Sequence, residues 1–146
     1  MNRRTLAMQV AWCNYGLPYR WGGDDPLKGF DCSGFVIEVL QSVGILPGKG
    51  DWTADALWRL FSLDLCIPKP IPGALAFWSY NPGGTKKHVE LCIDEKHSIG
   101  ASGGGSRVKT EEDAILWNAF VKVRPVCPRG SMGRIEFVDP FVTAPE

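Results

Sequence analysis

Residues 19–34 read YRWGGDDPLKGFDCSG, a glycine-rich loop that ends in a cysteine and passes directly into an apolar segment. Asp31 is a good N-cap, because its carboxylate can accept hydrogen bonds from the first free backbone N–H groups of a helix. In the segment that follows, Gly44 supplies a stop signal, and the apolar residues recur at helical spacing: Phe35, Val36, Val39, Leu40 and Val43. The pattern therefore predicts a buried helix over residues 33–43, with Cys32 at its N-terminal end.

The position of Cys32 gives it a chemical role to be weighed against a packing role. Unpaired N–H groups and the positive end of the helix dipole favour a thiolate there, and a thiolate is the nucleophile of cysteine chemistry. A free cysteine is most often a small buried hydrophobe. Cys32 instead lies at a loop-to-helix junction between Asp31 and Ser33, neighbours that packing does not require. We interpret it as a candidate nucleophile.

Length and charge bound the kind of protein. The 146 residues suffice for one catalytic domain over 1–146, in which residues 139–146 are expected to form a loose tail. With 16 basic and 16 acidic residues the net charge is zero, so no nucleic acid or anionic membrane partner is expected. No apolar run approaches the roughly 20 residues of a membrane span.

The five cysteines are odd in number and widely spaced, without a CxxC pair. A zinc site and a disulfide framework are therefore not expected, and we predict neither metal nor cofactor. The N-terminal apolar segment is short and lacks a small-residue cleavage site, so a signal peptide is not predicted.

The order of the predicted elements indicates the fold class. Helices are predicted over residues 4–15 and 33–43 and after a cap at Asp51 or Thr53, with a short one at 111–118. Proline-rich residues 68–73 then break the helical pattern, and four short β-runs follow: 74–78, 88–93, 98–101 and 120–126, with a weaker one at 135–138. Helices first and antiparallel strands second indicate an α+β fold, with helices packed on one side of a sheet.

A cysteine nucleophile needs a base, and the chain has two histidines. His88 opens a β-run after a glycine-rich loop, where its ring can lie at a sheet edge and face a helix N-terminus. His97 falls in a predicted hairpin turn, where a solvent-facing polar residue is expected. We therefore favour His88 as the base, 56 residues after Cys32, so that the two can meet only through the fold.

Four segments together resemble the NlpC-type peptidoglycan peptidases, over roughly residues 5–127. They are the loop PYRWGG at 18–23, the block GFDCSGFV at 29–36, the run IPGALAFW at 71–78, and His88-Val89. The resemblance implies a rearranged papain-like fold, in which the nucleophilic cysteine opens a helix packed on an antiparallel sheet. It also implies a thiol hydrolase that cleaves stem or cross-link peptides, commonly between γ-D-glutamate and a diamino acid.

By the same resemblance Cys32 attacks the carbonyl carbon and His88 activates the thiol. Tyr19 and Asp31 match positions that line the site and hold the free amino end of the stem peptide, and Ser33 lies beside them. The backbone N–H of Cys32 could contribute to an oxyanion hole.

Trp21 lies in the glycine-rich loop and is a further candidate for substrate binding, since aromatic rings often line pockets.

The chain departs from the family at the residue that orients the histidine. The family usually has a polar residue, often a second histidine, on the next strand, and that position falls at Gly100. His97 or Ser102 could take over as a third catalytic group, as could a backbone carbonyl or a water. Glu90 shares a strand face with His88 and is another candidate, although a salt bridge at the rim is the more ordinary role of such a residue.

Gly100 also supports a different class of function. The domain could be a catalytically weakened structural module, for example in a phage tail or a wall-binding assembly. Thiol acyl transfer on the same scaffold is a third possibility. By analogy with the family, we expect a protein made in the cytoplasm without a signal peptide that acts at the cell wall, with a phage or prophage origin and virion association as the preferred hypothesis.

Overall fold

The computed structural model describes residues 2–25, 29–48 and 52–142. Within these ranges the chain forms four helices and eight strands. The helices are α1 (Arg3–Cys13), α2 (Cys32–Ser42), α3 (Ala54–Phe61) and α4 (Glu111–Trp117). The strands are β1 (Asp24–Asp25), β2 (Gly29–Phe30), β3 (Cys66–Ile67), β4 (Leu75–Ser79), β5 (His88–Cys92), β6 (His97–Ser102), β7 (Phe120–Pro125) and β8 (Arg134–Val138).

Six of these strands form one antiparallel sheet in the order β3-β8-β4-β5-β6-β7. Helix α2 packs across β5 and β6 and also contacts α1. The predicted α+β class, with N-terminal helices packed on an antiparallel sheet, is confirmed. The strands β1, β2 and β3 were not predicted, because two residues are too few to show a period of two.

The start of α2 is fixed by its cap. The Asp31 side chain accepts a hydrogen bond from the backbone N–H of Gly34 at 2.7 Å, so the helix begins at Cys32 itself. Thr53 caps α3 in the same way, through a bond from the Ala56 N–H at 3.0 Å. Asp51, the other cap that the sequence allowed, lies outside the described residues.

The central strand β4 is buried along its whole length, because both faces of the sheet are covered. Leu75 and Phe77 pack into the core under the helices. The alternate residues Ala76 and Trp78 face a second, smaller cluster on the opposite side of the sheet. This second cluster includes the segment after β7, which becomes important at the site.

The prediction of a loose tail over residues 139–146 is wrong for residues 139–141. Asp139 is buried and accepts two hydrogen bonds from the Arg4 guanidinium, at 3.0 and 2.9 Å. Phe141 is also buried, and its N–H donates to Asp139 at 3.0 Å. The segment therefore fastens the end of β8 to α1, whereas residues 143–146 lie outside the described ranges.

None of the helices in the described part of the chain is long and apolar enough to cross a membrane.

Candidate active site

Cys32 is the first residue of α2, and the glycine-rich loop presents it at the surface of a cleft. The loop folds back so tightly that a Cβ on Gly34 would lie 2.0 Å from the carbonyl oxygen of Gly23. Only glycine fits at this approach. Asp31 holds the turn as well, because its N–H donates to the Gly23 carbonyl at 3.0 Å and its Oδ2 accepts from the Gly22 N–H at 3.2 Å.

His88 is the first residue of β5 and pairs across the sheet with Trp78 on β4. The two rings meet edge to face with centroids 5.3 Å apart, and the His88 side chain is 14% exposed. Because α2 packs on β5, the His88 ring and the Cys32 thiol line the same cleft, and Cys32 is close enough to contribute to the raised pKa of His88. The fold thus brings the two predicted residues together.

The cleft has a volume of about 930 Å³. Its walls come from the glycine-rich loop, the start of α3, the loop before β5, the segment after β6 and the segment after β7. Basic side chains outnumber acidic ones among its described lining residues: Lys86, Lys87, Arg107, Arg124 and Arg129 against Asp31. Lys86 is paired with Glu136 and Arg129 with Glu90, which leaves Lys87, Arg107 and Arg124 as the basic side chains that favour substrates carrying carboxylates.

The sequence-predicted binding residues lie in this cleft. Tyr19 is buried, with its ring packed so closely on Gly104 that a Cβ there would meet the ring at 2.2 Å. Burial raises the pKa of the Tyr19 hydroxyl, and the negative charges of Cys32 and Asp31 raise it further, so it stays a neutral hydrogen-bonding group. Ser33 lines the cleft and bonds Asp31 at 3.4 Å. Trp21 also lines it and is 54% exposed.

His97 and Ser102, the two candidates for a third catalytic group, lie in different surroundings. His97 begins β6, and its Nδ1 bonds the Asp94 carboxylate at 3.1 Å. It is not among the described residues that line the cleft. Ser102 ends β6 and does line the cleft, but its Oγ accepts a hydrogen bond from Arg124 at 3.0 Å. No bond from either residue to His88 is found in the described part of the chain.

The bond to His88 comes from Glu90. Its carboxylate is fully buried, and Oε2 lies 2.5 Å from His88 Nε2. Its other oxygen accepts a hydrogen bond from Ser98 Oγ at 2.7 Å. Burial alone would lower the pKa of His88, but the charges of Glu90 and then Cys32 outweigh it and hold that pKa above its usual range.

Arg129 completes this cluster from the segment after β7, a residue that the sequence analysis missed. Its Nη1 and Nη2 donate to the two Glu90 oxygens at 3.0 and 3.3 Å, and its guanidinium stacks on the Trp78 ring at 4.5 Å. Burial would raise the pKa of Glu90, but His88 and Arg129 together lower it, so the carboxylate stays ionised. Arg129 lies 39 residues from Glu90 in an irregular segment, and no periodic pattern pointed to it.

No group of three or more His, Cys, Asp or Glu side chains suited to a metal ion is found among the described residues.

Comparisons with known proteins identify the family. A sequence model of the NlpC/P60 family matches residues 16–124. Protein P54 of Enterococcus faecium is 38% identical over 103 residues, which are 70% of this chain and 18% of that protein. Murein DD-endopeptidase MepH of Escherichia coli is 28% identical over 105 residues, 71% of this chain and 38% of that protein. The chain thus spans well under half of these relatives.

A solved structure matches along nearly its whole length. The NlpC/P60 domain of the peptidoglycan hydrolase SagA superposes with a TM-score of 0.61 at 30% identity, covering 86% of this chain and 91% of that domain. The family match covers residues from the glycine-rich loop through β7, and with it Cys32 and His88. The chain therefore belongs to the NlpC/P60 family.

Proposed function

We propose that the chain is a cysteine endopeptidase that hydrolyses peptidoglycan stem or cross-link peptides, such as γ-D-glutamyl–diamino acid bonds, through an acyl-enzyme. One observation carries this proposal. Cys32 at the N-terminus of α2 and His88 at the start of β5 line one cleft, and the far ring nitrogen of His88 is bonded to an ionised carboxylate. This is the arrangement of a thiol nucleophile, its base and a group that holds the base.

The roles follow from which atoms are already occupied. Because Nε2 of His88 is bonded to Glu90, Nδ1 is the ring nitrogen left to serve the thiol. The Cys32 thiolate attacks the peptide carbonyl carbon, and the imidazolium then gives its proton to the departing amine. Water, deprotonated by the neutral imidazole, cleaves the thioester and restores the thiol. The Cys32 backbone N–H at the helix N-terminus is a candidate donor to the oxyanion.

The charge of the cleft supports a stem-peptide substrate. A γ-linked D-glutamate keeps its α-carboxylate free, and basic side chains such as Lys87, Arg107 and Arg124 line the cleft where such a group could bind. The Asp31 carboxylate also lines the cleft and carries the opposite charge. It would suit the free amino end of the stem, as the family resemblance implies, with Tyr19 beside it.

The test is hydrolysis of purified peptidoglycan, with the soluble products identified by mass spectrometry. We expect the unmodified protein to release peptidoglycan fragments cut after γ-D-glutamate. The Cys32→Ala variant is expected to hydrolyse peptidoglycan at least about 10³-fold more slowly. Cys13→Ala is the matched control, since Cys13 is an exposed free thiol on α1 and is expected to leave the rate unchanged. Normal hydrolysis by Cys32→Ala would contradict the proposal.

The alternatives make different predictions in the same assay. A structural module of a phage tail or wall-binding assembly would release no fragments, and an acyltransferase would add the mass of a supplied amine to the product. The module was favoured by Gly100, whereas the Glu90 carboxylate bonded to His88 supports an active enzyme. Action at the cell wall follows from the proposed substrate, while a phage origin stays a prediction.

A further inference from the structure

The side chain that bonds His88 does not come from the position that the family resemblance implies. That position, Gly100 on β6, has no side chain. Yet His88 is bonded at Nε2 by a buried carboxylate that belongs to β5, the histidine's own strand. The glycine at 100 and the glutamate at 90 lie side by side in the folded chain.

The sheet register explains why they occur together. Strands β5 and β6 pair antiparallel with Leu91 opposite Ile99, and this register continues to place Glu90 opposite Gly100. A Cβ built on Gly100 would lie 2.5 Å from Glu90 Cγ and 3.1 Å from Cδ. The Glu90 side chain therefore runs through the volume that a residue at 100 would fill, and no larger residue fits there while Glu90 keeps this conformation.

We propose that Glu90 is the positioning residue for His88, that it replaces from β5 the group the family supplies from β6, and that Gly100 is the space that admits it. This rests on the proposed function for its kinetic consequences and on the described contacts for its geometry. Ser98 and Arg129 hold both Glu90 oxygens, so the carboxylate has a fixed direction as well as a charge. A fixed, ionised acceptor keeps the proton on Nε2 and leaves Nδ1 facing the thiol.

A buried ion pair could also be purely structural, so the test needs a readout that stability does not move. Glu90→Gln keeps the shape of the side chain and removes its charge. We expect kcat to fall by between about 10-fold and 10⁴-fold with KM little changed. We also expect the alkaline limb of the pH–rate profile to move to lower pH, because His88 loses the carboxylate that holds its proton. Cys32 and Arg129 are unchanged in this variant.

Asp139→Asn is the matched control, since Asp139 is also a buried carboxylate bonded twice by an arginine, but it does not line the cleft. It is expected to keep the alkaline limb of the unmodified chain. If Glu90→Gln keeps that limb too and loses activity only in proportion to its unfolded fraction, the positioning role is wrong.

Moving the carboxylate tests the replacement itself. The double variant Glu90→Ala with Gly100→Glu returns the acid to the β6 position, and we expect it to regain at least about tenfold in kcat over Glu90→Ala alone. A double variant no faster than the single variant would contradict the exchange of the two positions.

A measurement on the unmodified chain avoids any failure of variants to fold. The chain has two histidines, so ¹⁵N-labelled imidazole signals can be assigned by His97→Gln. We expect His88 to keep a proton on Nε2 across the pH range in which the enzyme works, and an unprotonated Nε2 would overturn the proposal. Because this needs no substrate, it separates failure of the positioning role from failure of the proposed hydrolysis.

Discussion

The described part of the chain contains two pairs, each of a buried carboxylate and an arginine, that have nearly the same geometry and do different things. Arg4 bonds Asp139 at 3.0 and 2.9 Å, and Arg129 bonds Glu90 at 3.0 and 3.3 Å. The further partner of Asp139 is a backbone N–H, that of Phe141. The further partners of Glu90 are Ser98 and a titratable imidazole at the wall of the cleft.

The comparison shows that a buried ion pair does not reveal its role by its own geometry. The Arg4–Asp139 pair joins α1 to the segment after β8, and neither of its residues is among those that line the cleft. The Glu90–Arg129 pair is held just as firmly, but one carboxylate oxygen is directed at His88. What distinguishes the two is the remaining partner of the carboxylate, so both pairs should affect stability, but only the Glu90 pair should affect the charge of His88.

The largest expected effect is on stability, and it is shared by both pairs. Removing one member of a buried ion pair leaves an uncompensated charge and costs about 3–5 kcal/mol. We expect Arg129→Met to lose this much and Arg4→Met to lie at the low end, because Arg4 is 30% exposed. Chemical denaturation measures both losses.

Hydrolysis by the folded fraction then separates the two arginines. Arg129→Met is expected to slow hydrolysis and shift its pH profile, whereas Arg4→Met is expected to do neither. Equal rate losses per folded molecule would show that the pairs do not differ in the way proposed.

A smaller effect is expected from filling the space beside Glu90. Gly100→Ala places a methyl group 2.5 Å from Glu90 Cγ, and overpacking of this kind costs about 1–3 kcal/mol. The shift of Glu90 should also lengthen its bond to His88 and lower kcat. Gly48→Ala is the control, because a Cβ there meets nothing within 4 Å, and its stability should change by less than about 0.5 kcal/mol. Unfolding and kcat for the two variants check this, and an unimpaired Gly100→Ala would contradict it.

The last expected effect is the pH dependence of stability that only the Glu90 pair should confer. In a Cys32→Ala host we expect the Glu90 carboxylate bonded to His88 to hold the pKa of His88 above its usual range, against the lowering effect of burial. The folded chain then keeps a proton that the unfolded chain releases above about pH 6.5. The free energy of unfolding should therefore fall as the pH rises from about 6.5 toward the pKa of His88 in the folded chain, by at most about 1.4 kcal/mol per pH unit.

Adding His88→Gln to this host should remove that slope, as measured by denaturation between about pH 6.5 and 8.5. The matching change at His97, which is bonded to Asp94 away from the cleft, should leave it in place. A slope that survives His88→Gln would assign the effect to other groups.

The sequence predicted the half of the site that depends on local pattern. Asp31 as a cap, Cys32 at the helix start and His88 at the start of a strand follow from capping and alternation, and the structure places all three as expected. The sequence also put Glu90 on the face of His88, but between a salt bridge at the rim and a buried partner of His88 it favoured the first, and the structure shows the second.

That decision depends on residues far along the chain. Whether Glu90 can be buried is set by the missing side chain at Gly100 and by Arg129, which comes from an irregular loop without periodicity. The loose-tail prediction failed for the same reason, since the partner of Asp139 is Arg4, 135 residues earlier. Long-range pairs of single side chains leave no signature in one sequence.

The most direct measurement is the pH dependence of Cys32 alkylation by a small electrophile, followed peptide by peptide with mass spectrometry. The exposed free thiols serve as references in the same sample: Cys13, Cys66 and Cys127. If Cys32 and His88 form a thiolate–imidazolium pair held by Glu90, Cys32 reacts faster than the reference thiols in mildly acidic solution, loses this advantage in His88→Ala, loses part of it in Glu90→Gln and keeps it in Asp139→Asn. A Cys32 whose reactivity follows the reference thiols at every pH and is indifferent to His88 would contradict the cysteine–histidine site.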